Sequence, residues 1–229
     1  MPTALLDAFE GSFKGKLYRH RIANTGDAVA LYLYEDLVSL DRSPKLRDRV
    51  LAGRDVVNTR NLVKGKTGRR GDGTFGELIP GEVAERLPGF AVARGPVATI
   101  EIGVEVKVLA KAMIKQIDRV INDLRNQASV FKKLNPDAIT VGIVGINYSY
   151  SYVSYEKERK YDSSPITESR KAQQRLLDGA ANAFDEFIVL PFGVTNVDPF
   201  PFQWTERRDT EQHYNSAVLR ISNLYDSRF

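Results

Sequence analysis

A strict alternation of apolar and polar residues marks the middle of the chain, at residues 99–109. The apolar positions are even-numbered and mostly β-branched: Ile100, Ile102, Val104, Val106 and Val108. Successive side chains of a strand point to opposite faces of a sheet, so this pattern predicts a strand with one apolar and one polar face. On the polar face, Glu101 precedes Glu105 and Lys107, and these last two lie about 6.6 Å apart along an ideal strand.

The residues that follow extend this strand into a strand–helix–strand unit. Residues 110–131 repeat apolar side chains every three to four positions, which predicts an amphipathic helix. After Asn135-Pro-Asp137, residues 138–148 are almost continuously apolar, which is typical of a strand buried on both faces. The unit predicts an α/β fold with a mixed central β-sheet flanked by helices.

Weaker patterns organise the rest of the chain. Helical spacing predicts helices at residues 28–40, at residues 166–187 and from about residue 209 onward. Residues 43–73 are rich in Arg, Lys, Gly and Asn, which indicates a basic, loop-rich connection. A short helix at residues 81–87 and a turn at Pro88-Gly89 predict that residues 90–93 form a hairpin with the alternating strand.

Length and composition restrict the class of protein. With 229 residues, 42% of them hydrophobic, the chain is most simply one domain, 1–229, with a core at about 71–148, an N-terminal region 1–70 and an extension 149–229. The net charge of +4 favours a polyanionic partner only mildly. No cysteine is present, which excludes thiol and disulfide chemistry and permits a reducing cytoplasm. No apolar run approaches the ~18 residues of a membrane helix, so we expect a soluble, cytoplasmic protein.

The Glu-x-Lys of Glu105 and Lys107 lies on a strand that leads directly into a helix and a second apolar strand. This arrangement resembles the core of the PD-(D/E)xK nuclease superfamily, the restriction-endonuclease-like fold, here with N- and C-terminal helical elaborations. The resemblance implies a restriction or defence-type endonuclease that hydrolyses phosphodiester bonds in DNA with Mg²⁺ or Mn²⁺. It assigns metal binding to Glu105 and to an upstream aspartate, for which Asp72 is the best candidate. It also assigns a catalytic role to Lys107, and a further one to a glutamine or lysine on the helix, which here is Gln116 or Lys115.

The acidic partner of Glu105 stays open at this point. Asp72 lies well upstream of the strand, and Glu77, from the same segment, is the first substitute. Glu101 shares the predicted polar face but lies about 13 Å from Glu105 along an ideal strand, unless a bulge shortens the path. Glu35, on a predicted helix, is the extra carboxylate that the same resemblance nominates.

Binding to nucleic acid also rests on residues outside the strand. Four basic residues in the glycine-rich stretch before Asp72 predict contacts to phosphates: Lys64, Lys66, Arg69 and Arg70. The alternating tyrosines at positions 148, 150 and 152 fit base stacking, a strand running into solvent or a subunit interface, so a homodimer stays open. The alternative function is a non-catalytic nucleic-acid-binding or assembly module, in which Glu105 and Lys107 form a surface ion pair.

Overall fold

A computed structural model describes residues 2–19, 25–63, 66–67, 71–156 and 159–229, with the side chains of all these residues except 59–63, 66, 67 and 156. The helices are α1 (Ala4–Gly11), α2 (Thr25–Leu40), α3 (Pro44–Leu51), α4 (Met113–Leu134), α5 (Ile166–Gly179) and α6 (Arg207–Arg228). The strands are β1 (Asp55–Val63), β2 (Lys66–Thr67), β3 (Gly73–Leu78), β4 (Arg94–Leu109), β5 (Ile139–Asn147), β6 (Tyr152–Glu156), β7 (Arg159–Ser163), β8 (Glu186–Val194) and β9 (Phe202–Trp204). No helix in these ranges is long and apolar enough to cross a membrane.

The central sheet is mixed, as the sequence predicts. Across the described ranges its strand order is β2-β1-β3-β4-β5-β8-β9. Strands β4, β5 and β8 run parallel to one another, whereas β3 and β9 are antiparallel to their neighbours β4 and β8. Strands β6 and β7 form a separate hairpin. The chain therefore has an α/β fold in which parallel strands occupy the middle of the sheet.

Helices cover both faces of this sheet. One core cluster contains apolar side chains of α1, α2 and α6, and a second contains those of α4 and α5. Strand β5 contributes to both, because Val141 and Ile143 pack in the first cluster while Val144 and Ile146 pack in the second. All nine residues of β5 are buried. The prediction of a strand buried on both faces is confirmed.

The strand–helix–strand unit is also confirmed, with shifted bounds. Strand β4 is 16 residues long and begins at Arg94, five residues before the alternation becomes strict. Helix α4 begins at Met113, three residues later than the spacing predicts, after Ala112 in a left-handed conformation. The helix then runs back along the sheet to Leu134, and β5 returns parallel to β4.

The segment before the unit differs from the prediction. Residues 43–73 contain helix α3, which Ser43 caps by accepting a hydrogen bond from the Leu46 N–H, and strand β1, whose Val56 and Val57 are buried. Residues 81–87 form turns and an isolated bridge rather than a helix, and the antiparallel partner of β4 is β3 instead of residues 90–93. The sheet thus extends beyond the predicted 71–148 core.

The predicted helix at residues 166–187 ends earlier than expected. Helix α5 stops at Gly179, and after a short turn the chain enters strand β8 at Glu186. Strand β8 and the short β9 add the last two members to the sheet beside β5. The C-terminal extension therefore contains strands as well as helices. The N-terminal region does too, so the prediction of purely helical elaborations at the two ends is incomplete.

A bulge interrupts the alternation of β4. The pairing of β3 with β4 passes from Phe75↔Ile102 to Gly76↔Ile100, so Glu101 is an extra residue on the β4 side. Ile100 consequently packs on the α4 side, whereas Ile102 packs with α2 and α6. Gly76 is required here, because a Cβ at this position would lie 1.9 Å from the Thr99 carbonyl oxygen.

Candidate active site

Asp72 lies at the point where β3 begins to pair with β4. The first pair of that ladder is Gly73↔Val104, while β4 itself continues to Leu109. The Asp72 backbone N–H donates to the Val104 carbonyl at 3.2 Å, and the Val106 N–H donates to Asp72 Oδ2 at 2.7 Å. The Asp72 carboxylate thus accepts the hydrogen bond that another residue of β3 would accept if the strand continued, and it is held against the edge of β4.

Glu105 lies between the two β4 residues that Asp72 contacts. Its neighbours Val104 and Val106 pack on the α2 and α6 side, so its own side chain points to the α4 side. Glu105 is only 3% exposed, and its Oε1 lies 2.5 Å from Nζ of Lys107, which is 26% exposed. A buried carboxylate is costly without a positive partner, and the Lys107 ammonium is one such partner of Glu105.

Gly71 allows the chain to reach this position. Its φ of 69° lies in the left-handed region that favours glycine. A Cβ at Gly71 would lie 2.7 Å from Cζ of Phe131, 2.9 Å from the Val104 carbonyl oxygen and 3.2 Å from Oε2 of Glu105. The backbone of Gly71, the residue before Asp72, therefore passes close to Oε2 of Glu105.

The beginning of α2 packs against the other side of Asp72. A Cβ at Gly26 would lie 2.5 Å from Oδ1 of Asp72. Farther along, Gly73 lies under α2 as well, since its Cβ would meet Ala30 at 2.5 Å. Asp72 is thus fixed between α2 and the edge of β4, with one oxygen toward each element. Its position therefore depends on two segments that are distant from it in sequence.

Glu77 lies far from Glu105. It is an exposed residue of β3 opposite Thr99, six residues before Glu105 along β4, which corresponds to about 20 Å. Glu35 accepts hydrogen bonds from the backbone N–H groups of Ala91 and Val92, near the start of β4. The structure therefore places neither of these carboxylates at the candidate site.

Glu101 points to the opposite face of the sheet from Glu105, so the prediction of a shared face was wrong. The bulge turns its side chain toward α3 and α6, where Arg49 lies 2.6 Å from its Oε1 and the Tyr225 hydroxyl 2.5 Å from its Oε2. Asp55 joins this buried network through Arg49 and Tyr225. Burial, followed by repulsion from the Asp55 carboxylate, raises the pKa of Glu101 to about 8.

Basic and amide groups surround the carboxyl end of β4. The Gln116 side-chain amide donates to the Lys111 carbonyl at 2.9 Å, so Gln116 braces the turn between β4 and α4. Lys111 donates to the Ser154 hydroxyl at 2.6 Å and lies 5.7 Å from the ring centroid of Tyr161, both in the β6–β7 hairpin. Sequence analysis missed Lys111, for which the available signal is a second lysine four residues after Lys107.

The predicted phosphate-contacting residues lie outside the described side chains. Lys64, Arg69 and Arg70 fall in ranges that the structure does not describe, and Lys66 is described only as backbone of β2. Among the described residues, no group of three or more His, Cys, Asp or Glu side chains is placed to hold a metal ion. The donor set seen here is the pair of carboxylates on Asp72 and Glu105.

Comparison of the chain with protein-family models, with curated proteins and with solved structures gives no match. The functional argument therefore rests on the geometry of the site. In that geometry Asp72 is hydrogen-bonded to the backbone of the residue after Glu105, and Glu105 is paired with Lys107. Lys111 and Gln116 lie at the same end of β4.

Proposed function

We propose that this chain is a Mg²⁺-dependent deoxyribonuclease with a restriction-endonuclease-like core. The observation that carries the proposal is the position of Asp72. Its carboxylate is hydrogen-bonded to the Val106 N–H, the residue directly after Glu105, although 33 positions separate Asp72 from Glu105 in the sequence. Two acidic residues and Lys107 thereby lie at one end of the same strand, an arrangement that suits phosphodiester hydrolysis.

The donor chemistry fits a hard divalent cation. Asp72 and Glu105 offer carboxylate oxygens only, and Mg²⁺ and Mn²⁺ prefer oxygen ligands. One or two carboxylates together with substrate phosphates are the usual protein ligands of Mg²⁺. Asp72 and Glu105 would hold the ion, which when bound lowers the pKa of a coordinated water and polarises the scissile phosphate.

The remaining residues bind and orient the substrate. Lys107 is partly exposed and lies beside Glu105, so its ammonium can turn from that carboxylate to a water or a phosphate oxygen. There it orients the attacking water and offsets the negative charge that develops on the phosphate. Lys111 adds a second positive charge at the same end of β4 and favours binding of the DNA backbone. The cysteine-free sequence is compatible with a cytoplasmic location for this activity.

One observation favours the alternative of a non-catalytic nucleic-acid-binding or assembly module. Both carboxylates have partners within the chain, because Asp72 accepts from Val106 and Glu105 pairs with Lys107. The same contacts would be present if Glu105 and Lys107 were only an ion pair and Asp72 only ended the pairing at the edge of β4. Binding of a metal ion distinguishes the two functions, since only the nuclease requires these carboxylates to exchange their present partners for an ion.

The test is cleavage of supercoiled plasmid and of single-stranded DNA in Mg²⁺, with EDTA as the negative control. We expect the wild type to cleave DNA and Lys107→Met to lose at least about a hundredfold in rate, because Met keeps the length of the stem but removes the charge. Lys133→Ala, which changes an exposed lysine at the far end of α4, is the matched control and should cleave like the wild type. Undiminished cleavage by Lys107→Met would end the assignment.

A further inference from the structure

Three alternating tyrosines follow strand β5, and the structure gives each of them a different environment. Tyr152, in β6, is 1% exposed, and Tyr148 is half-buried, with its hydroxyl donating to Oε1 of Gln173 at 2.7 Å. Tyr150, between them, is 84% exposed. Of the three, Tyr150 is therefore the one whose ring is available to a partner.

The loop that carries Tyr150, residues 148–151, is anchored on both sides. Asn147, at the end of β5, is fully buried, and its side-chain amide donates to the carbonyls of Ala110 and Val194. Its Oδ1 accepts from the Ser149 N–H at 3.0 Å, and the Ser149 carbonyl accepts from the first residue of α5. An aromatic ring on such a fixed support loses little conformational entropy when it binds a partner.

The Tyr150 loop lies at the same end of the sheet as the candidate site. Lys107 pairs with Val144 in the β4–β5 register, and Asn147 lies three strand residues farther along β5, about 10 Å. Lys111, just beyond β4, contacts the β6–β7 hairpin that follows the loop. Ligands of open α/β sheets bind at the carboxyl ends of the parallel strands, which is where this loop lies.

Two helices place positive charges next to the Tyr150 loop. The Ile114 N–H of α4 donates to Oε2 of Glu168 in α5 at 3.2 Å, so the first turns of these helices lie together. Their exposed residues include Lys115, Arg170 and Lys171, none of which forms an ion pair within the described part of the chain. Glu168 itself is half-buried against α4. This junction is therefore basic, which complements the phosphates of a nucleic acid.

We infer that the Tyr150 loop binds single-stranded DNA beside the cleavage site, an inference that rests on the proposed function and names its substrate class. Bases inside a duplex are stacked on one another, whereas an unpaired base offers its face to an aromatic side chain. Proteins hold single strands by combining such rings with basic residues that follow the backbone. The Tyr150 ring stacks on a base, while Lys115, Arg170 and Lys171 contact the phosphates.

The test measures binding without cleavage, by fluorescence anisotropy of a labelled single strand and of its duplex in EDTA. Tyr150→Ala should bind the single strand at least about fivefold more weakly than the wild type, because the stacking is lost. Its affinity for the duplex should change by less than about twofold. Its melting temperature should not change, since the side chain is exposed. Tyr150→Phe keeps the ring and should bind both DNAs like the wild type.

Two charge variants complete the comparison. Lys171→Ala should weaken binding of both the single strand and the duplex and make it less dependent on salt, because both DNAs carry phosphates. Lys133→Ala changes an exposed lysine at the far end of α4 and should bind both like the wild type.

The outcomes separate this inference from the proposed function. If Tyr150→Ala binds the single strand like the wild type, the inference is overturned while the proposed function stands. The inference is equally overturned if the substitution only dissociates a dimer in sedimentation, which would assign the loop to a subunit interface. If the wild type binds single strands through Tyr150 but cleaves no DNA in Mg²⁺, the binding site stands and the proposed function fails.

Discussion

Replacing Glu101 by Gln should remove a large part of the pH dependence of stability. The folded chain raises the pKa of Glu101 to about 8 because the carboxyl is buried next to Asp55, whereas an unfolded chain returns it to its ordinary value of 4.5. Glu101 is then neutral in the folded protein at neutral pH, and it shares one network with Arg49 and Tyr225. Gln carries no charge at any pH and has nearly the same shape.

The sign and size follow from proton binding. Between pH 4.5 and about 8 the folded chain keeps the Glu101 proton while the unfolded chain has lost it, so raising the pH favours unfolding. The contribution of Glu101 is complete below pH 4.5 and falls by at most about 1.4 kcal/mol per pH unit above it. By about pH 8 the loss approaches ~4 kcal/mol. The Gln variant should match the wild type at low pH and exceed it at high pH.

The assay is urea unfolding at several values from about pH 5 to about pH 8, followed by the fluorescence of Trp204, the one tryptophan of the chain. Other titrating groups are common to both proteins, so the difference between them isolates Glu101. Glu82→Gln changes an exposed glutamate in the same way and should track the wild type. Parallel pH profiles for the wild type and Glu101→Gln would refute the reasoning.

Two further predictions concern side chains bonded to buried carboxylates. Tyr225→Phe removes the hydroxyl that contacts both Asp55 and Glu101, so the free energy of unfolding in urea should fall by about 2–3 kcal/mol; a change under about 0.5 kcal/mol would contradict the network. Lys107→Met removes the ammonium that pairs with the buried Glu105, so the melting temperature should fall, and added Mg²⁺ should recover part of it by supplying another positive charge. If Mg²⁺ raises the melting temperature of Lys107→Met no more than that of Asp72→Asn, the result would oppose a metal site shared by Asp72 and Glu105.

The sequence alone predicts the elements whose patterns are regular over many residues. Strand β4, helix α4 and strand β5 follow from alternation, helical spacing and continuous apolar residues, because burial selects side chains at those positions. Strand β3 escaped prediction because two of its six residues are glycines, and β1 because its apolar pair, Val56 and Val57, lies within a basic, polar segment.

The candidate site was only partly predictable, because part of it depends on contacts that no local sequence pattern indicates. Glu105 and Lys107 share a face through local spacing, but the place of Asp72 depends on the β3–β4 register, on the left-handed Gly71 and on the approach of α2. A one-residue bulge likewise moved Glu101 to the other face, which no periodicity of β4 indicates. Contacts between distant segments, rather than local pattern, decide where Asp72 lies relative to β4.

The most direct test of the account compares Asp72→Asn with Glu77→Gln in titrations of Mg²⁺ and Mn²⁺, read as DNA cleavage and as metal binding. Asp72 is held one residue from Glu105 across the strand edge, whereas Glu77 lies about 20 Å away along β4. We predict that Asp72→Asn keeps its fold but loses metal affinity and cleavage together, by about tenfold or more, and that Glu77→Gln behaves like the wild type. An Asp72→Asn variant that binds the ion and cleaves DNA like the wild type would contradict the assignment of this site.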